Sequence, residues 1–296
     1  MKTINILTHS GVFHADEITA CALLQVALET INKIDYNIVI TRSRNKDEFT
    51  NSKYDYIVDV GGKYDGITLF DHHQFDKTDK LYGLSSAGLV YKYICKLEPT
   101  FSTYKTLATF INDVDKQDTG IQIMPKFHYC NLISMTNNAD VNNNKQQLKS
   151  FYYMLQCTVG IIRNIIRKDI QFIEYKSLSQ IVPILTLFKG GSNYNIVIAN
   201  KYIPTSYFIG KADIIIYPDT VDIEQYWIKT IELTKNEYGS KYSLSATNRD
   251  DEIFTHKAGF IGKYKLNNNS INFILNNEKF NININEVYLN YLGVKN

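Results

Sequence analysis

Cysteine is scarce in this chain and never clustered: Cys21, Cys95, Cys130 and Cys157 form no Cys-x-x-Cys pair. Their spacing excludes a zinc ribbon or a thioredoxin-like dithiol and leaves reduced, unpaired thiols as the expectation. An excess of charge of one sign is missing too. Lys plus Arg number 32 and Asp plus Glu 30, a formal charge of +2. That balance excludes a broad electrostatic grip on nucleic acid, although it allows a local basic groove, and it favours no acidic membrane surface. No apolar run is long enough to span a bilayer. The stretch from Met1 to Thr8 enters a strand pattern directly, without a charged-then-apolar leader, so the expected compartment is cytoplasmic and no membrane partner is expected. Internal repeats are absent. What is present is a hydrophobic fraction of 44% over 296 residues, enough for two globular domains.

The first 120 or so residues alternate strand and helix patterns. Ile4–Thr8, Tyr36–Thr41, Tyr56–Val60 and Ile67–Phe70 read as strands. Glu17–Ile31 has helical periodicity with Ile18, Cys21, Ala22, Leu28 and Ile31 on one face. Ser85 or Ser86 can cap a helix through Lys96, and Ser102 another ending near Asp115. The fold class expected is α/β, with a mainly parallel sheet in the N-terminal domain. An Asn-rich stretch from Asn137 to Lys149 reads as a loop, and Lys149–Lys176 as a long amphipathic helix. Beyond Pro183 come short β-like runs at Asn195–Ala199, Ile214–Tyr217, Tyr226–Leu233 and Ile271–Leu275. The expected organisation is a catalytic domain over 1–145, a linker helix over 146–180 and a smaller α+β C-terminal domain over 181–296.

Four of the six histidines fall in two short clusters. His9 and His14 flank the loop after the first strand, followed by Asp16 and Glu17. Asp71, His72 and His73 follow the fourth strand, and Asp59 ends the third. Asp115 and Asp118 arrive at the end of a helix. Parallel sheets gather ligands at the carboxyl ends of their strands, so these groups are expected to converge. A set mixing imidazole and carboxylate suits Mn²⁺, Zn²⁺ or Fe²⁺, and five or six donors exceed the needs of one tetrahedral ion. Two divalent ions sharing an aspartate would activate a water and neutralise charge on a phosphoryl group.

At these residues the chain resembles the DHH phosphoesterase superfamily, and within it the melanocyte-proliferating-gene exonucleases. The likeness rests on Thr8 to Glu17 (THSGVFHADE), Asp59 to Asp65 (DVGGKYD), Phe70 to Gln74 (FDHHQ), Leu84 to Tyr91 (LSSAGLVY), Asp115 to Ile121 (DKQDTGI) and, near the end, Phe254 to Gly262 (FTHKAGFIG). The resemblance implies that the N-terminal domain is of DHH type and binds two divalent ions, Mn²⁺ with Mg²⁺ as the alternative. It implies His9, His14, Asp16, Asp59 and His72 as ligands, with Asp59 bridging and Asp115 or Asp118 completing the shell. His73 would touch the scissile phosphate or protonate the leaving oxygen, and Ser86, His256 and Lys257 would contact substrate, with Lys263 a further candidate. The activity implied is 3′-to-5′ exonuclease action on RNA or short oligonucleotides. Departures lie in Ser240–Asp251, which has little likeness to the branch, and at Lys263, where a second glycine is usual.

Two other functions use the same residues. A small-molecule phosphohydrolase, acting on pyrophosphate or a cyclic dinucleotide, needs the same centre with a different second domain. A metal-bearing binding module would require a lost ligand, and no main position is lost. Nothing in the sequence sets the oligomeric state.

Overall fold

The computed structural model describes residues 2–50, 52–231, 242–246 and 250–286. Contacts divide the chain into two compact units, Met1–Gln171 and Phe172–Asn296, and the division falls inside one long helix. The architecture is two-domain α/β, with the long helix joining the parts. Among the described residues no helix is long and apolar enough to cross a membrane.

The first unit is built on strands β1 (Lys2–Thr8), β2 (Tyr36–Arg42), β3 (Tyr56–Val58) and β4 (Leu69–Phe70), in the order β2-β1-β3-β4. Every pairing is parallel, with Ile6 opposite both Ile40 and Tyr56. The end of β1 is buried residue after residue, as a central parallel strand covered on both faces must be. Around the sheet lie α1 (Ala15–Asn32), α2 (Ser86–Leu97), α3 (Lys105–Asp118), α4 (Tyr129–Ser134) and α5 (Asn144–Ile181).

Several elements depart from the sequence pattern for identifiable reasons. Helix α1 is not amphipathic: Ala15 through Ala27 are all buried, because its small residues let it pack among β2, α2, α3 and α4. Strand β3 stops at Val58, since Asp59 turns to φ 56°. Strand β4 begins only at Leu69, because Asp65 Oδ1 accepts the amides of Ile67, Thr68 and Leu69 at 2.8 Å each. Ser102 caps no helix. Its hydroxyl donates to Pro99 O within a 3₁₀ turn, and α3 starts at Lys105. The amides of Thr106 and Leu107 are instead taken by Asp169 of α5, at 3.1 and 3.0 Å. A cap supplied from 62 residues away leaves no local signal.

The second unit, in its described residues, holds two sheets. Strands β5 (Ile184–Lys189), β6 (Ser192–Ile198), β7 (Ile214–Pro218), β8 (Gln225–Thr230), β9 (Leu244–Ser245), β10 (Glu252–Thr255), β11 (Ile261–Lys265), β12 (Ser270–Leu275) and β13 (Glu278–Asn283) follow in sequence. One sheet runs β10-β11-β8-β7-β6-β5 and is mixed, β6 and β7 being its parallel pair; the other runs β13-β12-β9. The expected strand over Tyr226–Leu233 corresponds to β8, with residues 232 and 233 outside the described residues, as are 240, 241 and 247–249 of the divergent stretch. Strand β13 escapes a composition-based reading because its Asn residues suggest a loop. Yet Asn276 and Asn277, at φ 51° and 66°, form the two-residue turn that pairs β12 with β13.

Candidate metal centre

Three adjacent strand ends each deliver polar side chains at once: His9 after β1, Asp59 after β3, and Asp71, His72 and His73 after β4. Strand β1 lies between β2 and β3, so the strand order reverses beside it, where open α/β sheets hold ligands.

Asp59 is the hub. Its φ of 56° is a left-handed conformation that aspartate tolerates better than most residues. From there Oδ2 lies 3.3 Å from His9 Nε2, and Oδ1 lies 3.3 Å from His72 Nε2. Each oxygen of one carboxylate thus faces an imidazole from a different strand. Ser86 Oγ donates to Oδ1 at 3.0 Å and fixes the plane of the group. Burial opposes the charge of Asp59, but hydrogen bonds from His72 and His9 hold it well below the usual carboxylate range.

The segment from His9 to His14 is clamped from several directions. Arg42 Nη2 and Gln147 Nε2 donate to Gly11 O, at 3.1 and 3.3 Å, and Arg44 Nε donates to Ser10 O at 3.0 Å. Asn137 accepts from Phe13 N at 2.9 Å and donates to Phe13 O at 2.8 Å. Where α1 begins, Glu17 Oε2 accepts the His14 amide at 2.8 Å, while Oε1 lies 3.0 Å from His9 Nε2. Burial disfavours a proton on His9, yet Asp59 and Glu17 outweigh it and raise its pKa to about 10. His72 behaves alike: against burial, Asp118 and Asp59 raise it to about 10, with Asp118 Oδ2 3.2 Å from its Nε2.

Asp115 and Asp118 have different surroundings. Asp118 faces His72, whereas Asp115 Oδ1 accepts Ser85 N, Ser85 Oγ and Gly88 N, at 2.9, 2.6 and 3.0 Å. Asp115 therefore caps α2. A Cβ at Gly88 would overlap the Asp115 carboxylate, so the glycine is required for this approach. Burial pushes Asp115 up to about 6 despite these hydrogen bonds.

His73 is exposed but oriented. Its Nδ1 lies 2.7 Å from Asp71 Oδ1, and Asp71 Oδ2 accepts Gly62 N at 2.6 Å. The Asp71 carboxylate raises the His73 pKa against partial burial, and leaves Nε2 as the nitrogen free for proton transfer.

Donor atoms lie within 4.8 Å of one another in three groups: His9, His14, Glu17 and Asp59; Asp59, His72 and His73; and His14, Asp16 and Asp118. Asp59 and His14 each belong to two of them. The test of fit to cations is Asp16. It is fully buried, and neither carboxylate oxygen has a hydrogen-bond partner. Burial, then Asp59, Asp118 and Glu17, raise its pKa well above the usual value. His72 Nε2 lies 4.0 Å from Asp16 Oδ2, beyond hydrogen-bond reach. A buried carboxylate without a hydrogen bond, among three others, is costly unless a cation neutralises it. Mixed imidazole and carboxylate donors suit Mn²⁺, Zn²⁺ or Fe²⁺.

The structure thus gathers His9, His14, Asp16, Asp59, His72, His73 and Asp118, with Ser86 and Asp115 behind them. His256 and Lys257 belong to the second unit, in the turn between β10 and β11. His256 Nδ1 accepts Ala258 N at 3.1 Å, its ring packs 4.3 Å from Phe260, and Lys257 is exposed. Lys263 is paired with Asp219 at 2.9 Å. Sequence reasoning assigns no ligand role to Glu17 and no positioning role to Asp71, Arg44 or Asn137. For Glu17 a signal exists: a glutamate three residues after the residue that caps a helix reaches back to the capping amide.

A family model described as "Uncharacterised protein family (UPF0160)" matches residues 5–275. The "MYG1 protein" of Schizosaccharomyces pombe is 36% identical over 143 residues, 41% of each chain. The "MYG1 protein" of Chlamydia muridarum is 32% identical over 167 residues, 54% of this chain and 53% of that one. The human "MYG1 exonuclease" is 36% identical over 145 residues, 41% of this chain and 37% of its own. The matched stretches therefore span about half or less of these relatives.

Proposed function

The chain belongs to the uncharacterised protein family UPF0160, and from that membership and the geometry of its centre we propose a metal-dependent phosphoesterase, acting as a 3′-to-5′ exonuclease on RNA or short oligonucleotides. The observation that carries this reading is Asp59, with one oxygen toward His9 and the other toward His72. Such a carboxylate suits a two-cation centre. The relative named an exonuclease and the likeness to the DHH phosphoesterases support a phosphate ester as substrate.

In this reading His9, His14 and Glu17 would hold one cation and His72, Asp16 and Asp118 the other, with Asp59 available to both. Asp115 acts through α2, by positioning Ser86. Two divalent cations held there, Mn²⁺ by preference, would supply an acidified water and neutralise charge on the phosphoryl oxygens. His73 Nε2 gives its proton to the leaving oxygen, and the Asp71 carboxylate, by raising the His73 pKa, favours the protonated ring. Residues 1–145 form the catalytic, DHH-type domain, 146–180 the linker, and 181–296 the substrate-binding domain, where His256 and Lys257 contact the strand. The expected compartment is the cytoplasm.

The test is a Mn²⁺-dependent hydrolysis panel of 5′-labelled RNA, matched DNA, a dinucleotide and pyrophosphate, with EDTA as control. A ladder shortened from the 3′ end supports the proposal. Cleavage of pyrophosphate alone moves the protein to small-molecule phosphohydrolysis. Asp71→Asn tests the acid: loss of the carboxylate lowers the His73 pKa, so the alkaline limb of the kcat/KM profile should move to lower pH. An unmoved limb would remove His73 from that role.

A further inference from the structure

The metal centre opens into a cavity of about 250 Å³ bounded by Arg44, Val60, Gly61 and His73 as well as by ligands. A second cavity, about 370 Å³, shares the Val60–Gly61 wall and adds Lys46, Phe49, Thr50 and Lys63. That volume falls within the ~300–1,000 Å³ range of small-ligand sites. The chemistry changes sharply across the shared wall. On one side lie carboxylates and imidazoles, Asp59 and Asp71 with His9, His14 and His73; the lining of the second cavity includes two lysines and no carboxylate. Lys46 and Lys63 are exposed, and among the described residues neither has a carboxylate within 4.0 Å. The acidic residues of the same turn are Asp47 and Glu48, and Glu48 is engaged by Lys53 and Tyr54. The Phe49 ring stands against Gly61, whose φ is 102°; the nearest ring atom is 3.6 Å from where a Cβ would be.

We infer that this second cavity is a strand-binding groove. Arg44, Lys46 and Lys63 take backbone phosphates of a single-stranded nucleic acid whose scissile phosphate lies at the metal centre, and Phe49 offers its ring to a base. A cationic track with an interposed aromatic is how proteins hold single strands without reading their sequence. A pyrophosphate would fit at the centre and leave Lys46, Phe49 and Lys63 idle. For cleavage from the 3′ end, the groove takes nucleotides on the 5′ side of the scissile bond. The inference rests on the exonuclease reading and deepens it by giving the strand a place beside the centre. It also reconciles a net charge of only +2 with a nucleic-acid substrate, because the basic groups are local.

The experiment compares the unaltered chain with the double variant Lys46→Glu/Lys63→Glu. Fluorescence anisotropy follows binding of 5′-labelled single-stranded RNA of eight and of two nucleotides, with Ca²⁺ replacing Mn²⁺ to suppress turnover, across a salt series. Circular dichroism and thermal melting check the fold; both side chains are exposed and neither makes an ion pair that the variant would break. The eight-nucleotide RNA should bind the variant at least tenfold more weakly. Its salt slope should fall by about 1.4, about 0.7 for each phosphate that a lysine no longer neutralises on a single strand. Binding of the two-nucleotide RNA should change less, so the length preference collapses. Equal weakening of both lengths, or none of either, overturns the groove. The hydrolysis panel separates this from the parent reading. RNA shortened by the unaltered chain, with the variant binding the longer RNA normally, defeats the groove alone. Hydrolysis of pyrophosphate without RNA shortening defeats both.

Discussion

Asp59→Asn should lower turnover by at least ~10³-fold, about 4 kcal/mol in transition-state stabilisation, while the fold survives. The large effect follows from the position of the group. Among the described residues it is the one carboxylate whose two oxygens face imidazoles from separate strand ends, at 3.3 Å each. An amide keeps the shape but has one acceptor oxygen and no charge, so it can serve one side of the centre and not both. The backbone should tolerate the change, because asparagine is also at home at a φ of 56° and Ser86 Oγ can still donate to the amide oxygen. Calorimetric titration with Mn²⁺ should show fewer ions bound, and circular dichroism an unchanged spectrum. Turnover within tenfold of the unaltered chain would defeat the shared-carboxylate assignment.

The convergence of these side chains is legible in the sequence because they sit beside the strongest local signals in the chain. Short apolar runs end in His9, Asp59 and Asp71, and a parallel sheet brings such ends together whatever the loops between them do. The choice between Asp115 and Asp118 is beyond the sequence. Both stand at the end of α3, and what separates them is that α2 lays its first amides against Asp115. The same limit explains why Ser102 is a false helix start: the capping group is Asp169, brought near by the packing of α5. Asn137 reads as part of a polar loop, and only the fold reveals that it clasps Phe13. In the second unit composition masks alternation, as in β13, where Phe280 and Ile282 are buried between polar neighbours. Periodic patterns and strand-end chemistry survive in a linear reading; contacts between distant segments do not.

Asp16→Asn should have opposite effects with and without metal, and that contrast distinguishes a cation site from a merely polar core. In the metal-free chain Asp59 is matched by His9 and His72 at 3.3 Å each, whereas Asp16 has no hydrogen bond, only His72 at 4.0 Å, and faces Asp59, Asp118 and Glu17. Burial and these like charges raise its pKa, so folding draws a proton onto it. Below the unfolded value of ~3.9 the group is protonated in both states and costs nothing; as pH rises above that value the folded state is progressively penalised. Each pH unit is worth about 1.4 kcal/mol, so the penalty at pH 7 has a ceiling of about 4 kcal/mol. Against this stands the favourable effect of an acidic group in the first turn of α1, ~0.3–1 kcal/mol. The burial penalty outweighs it: in EDTA at pH 7 the variant should be the more stable of the two by denaturant unfolding, and the difference should close near pH 4. With Mn²⁺ the order should reverse, because binding stabilises only the folded chain that can hold the ion. Equal stabilisation of both proteins by Mn²⁺, or a variant less stable in EDTA at pH 7, would show that Asp16 does not await a cation.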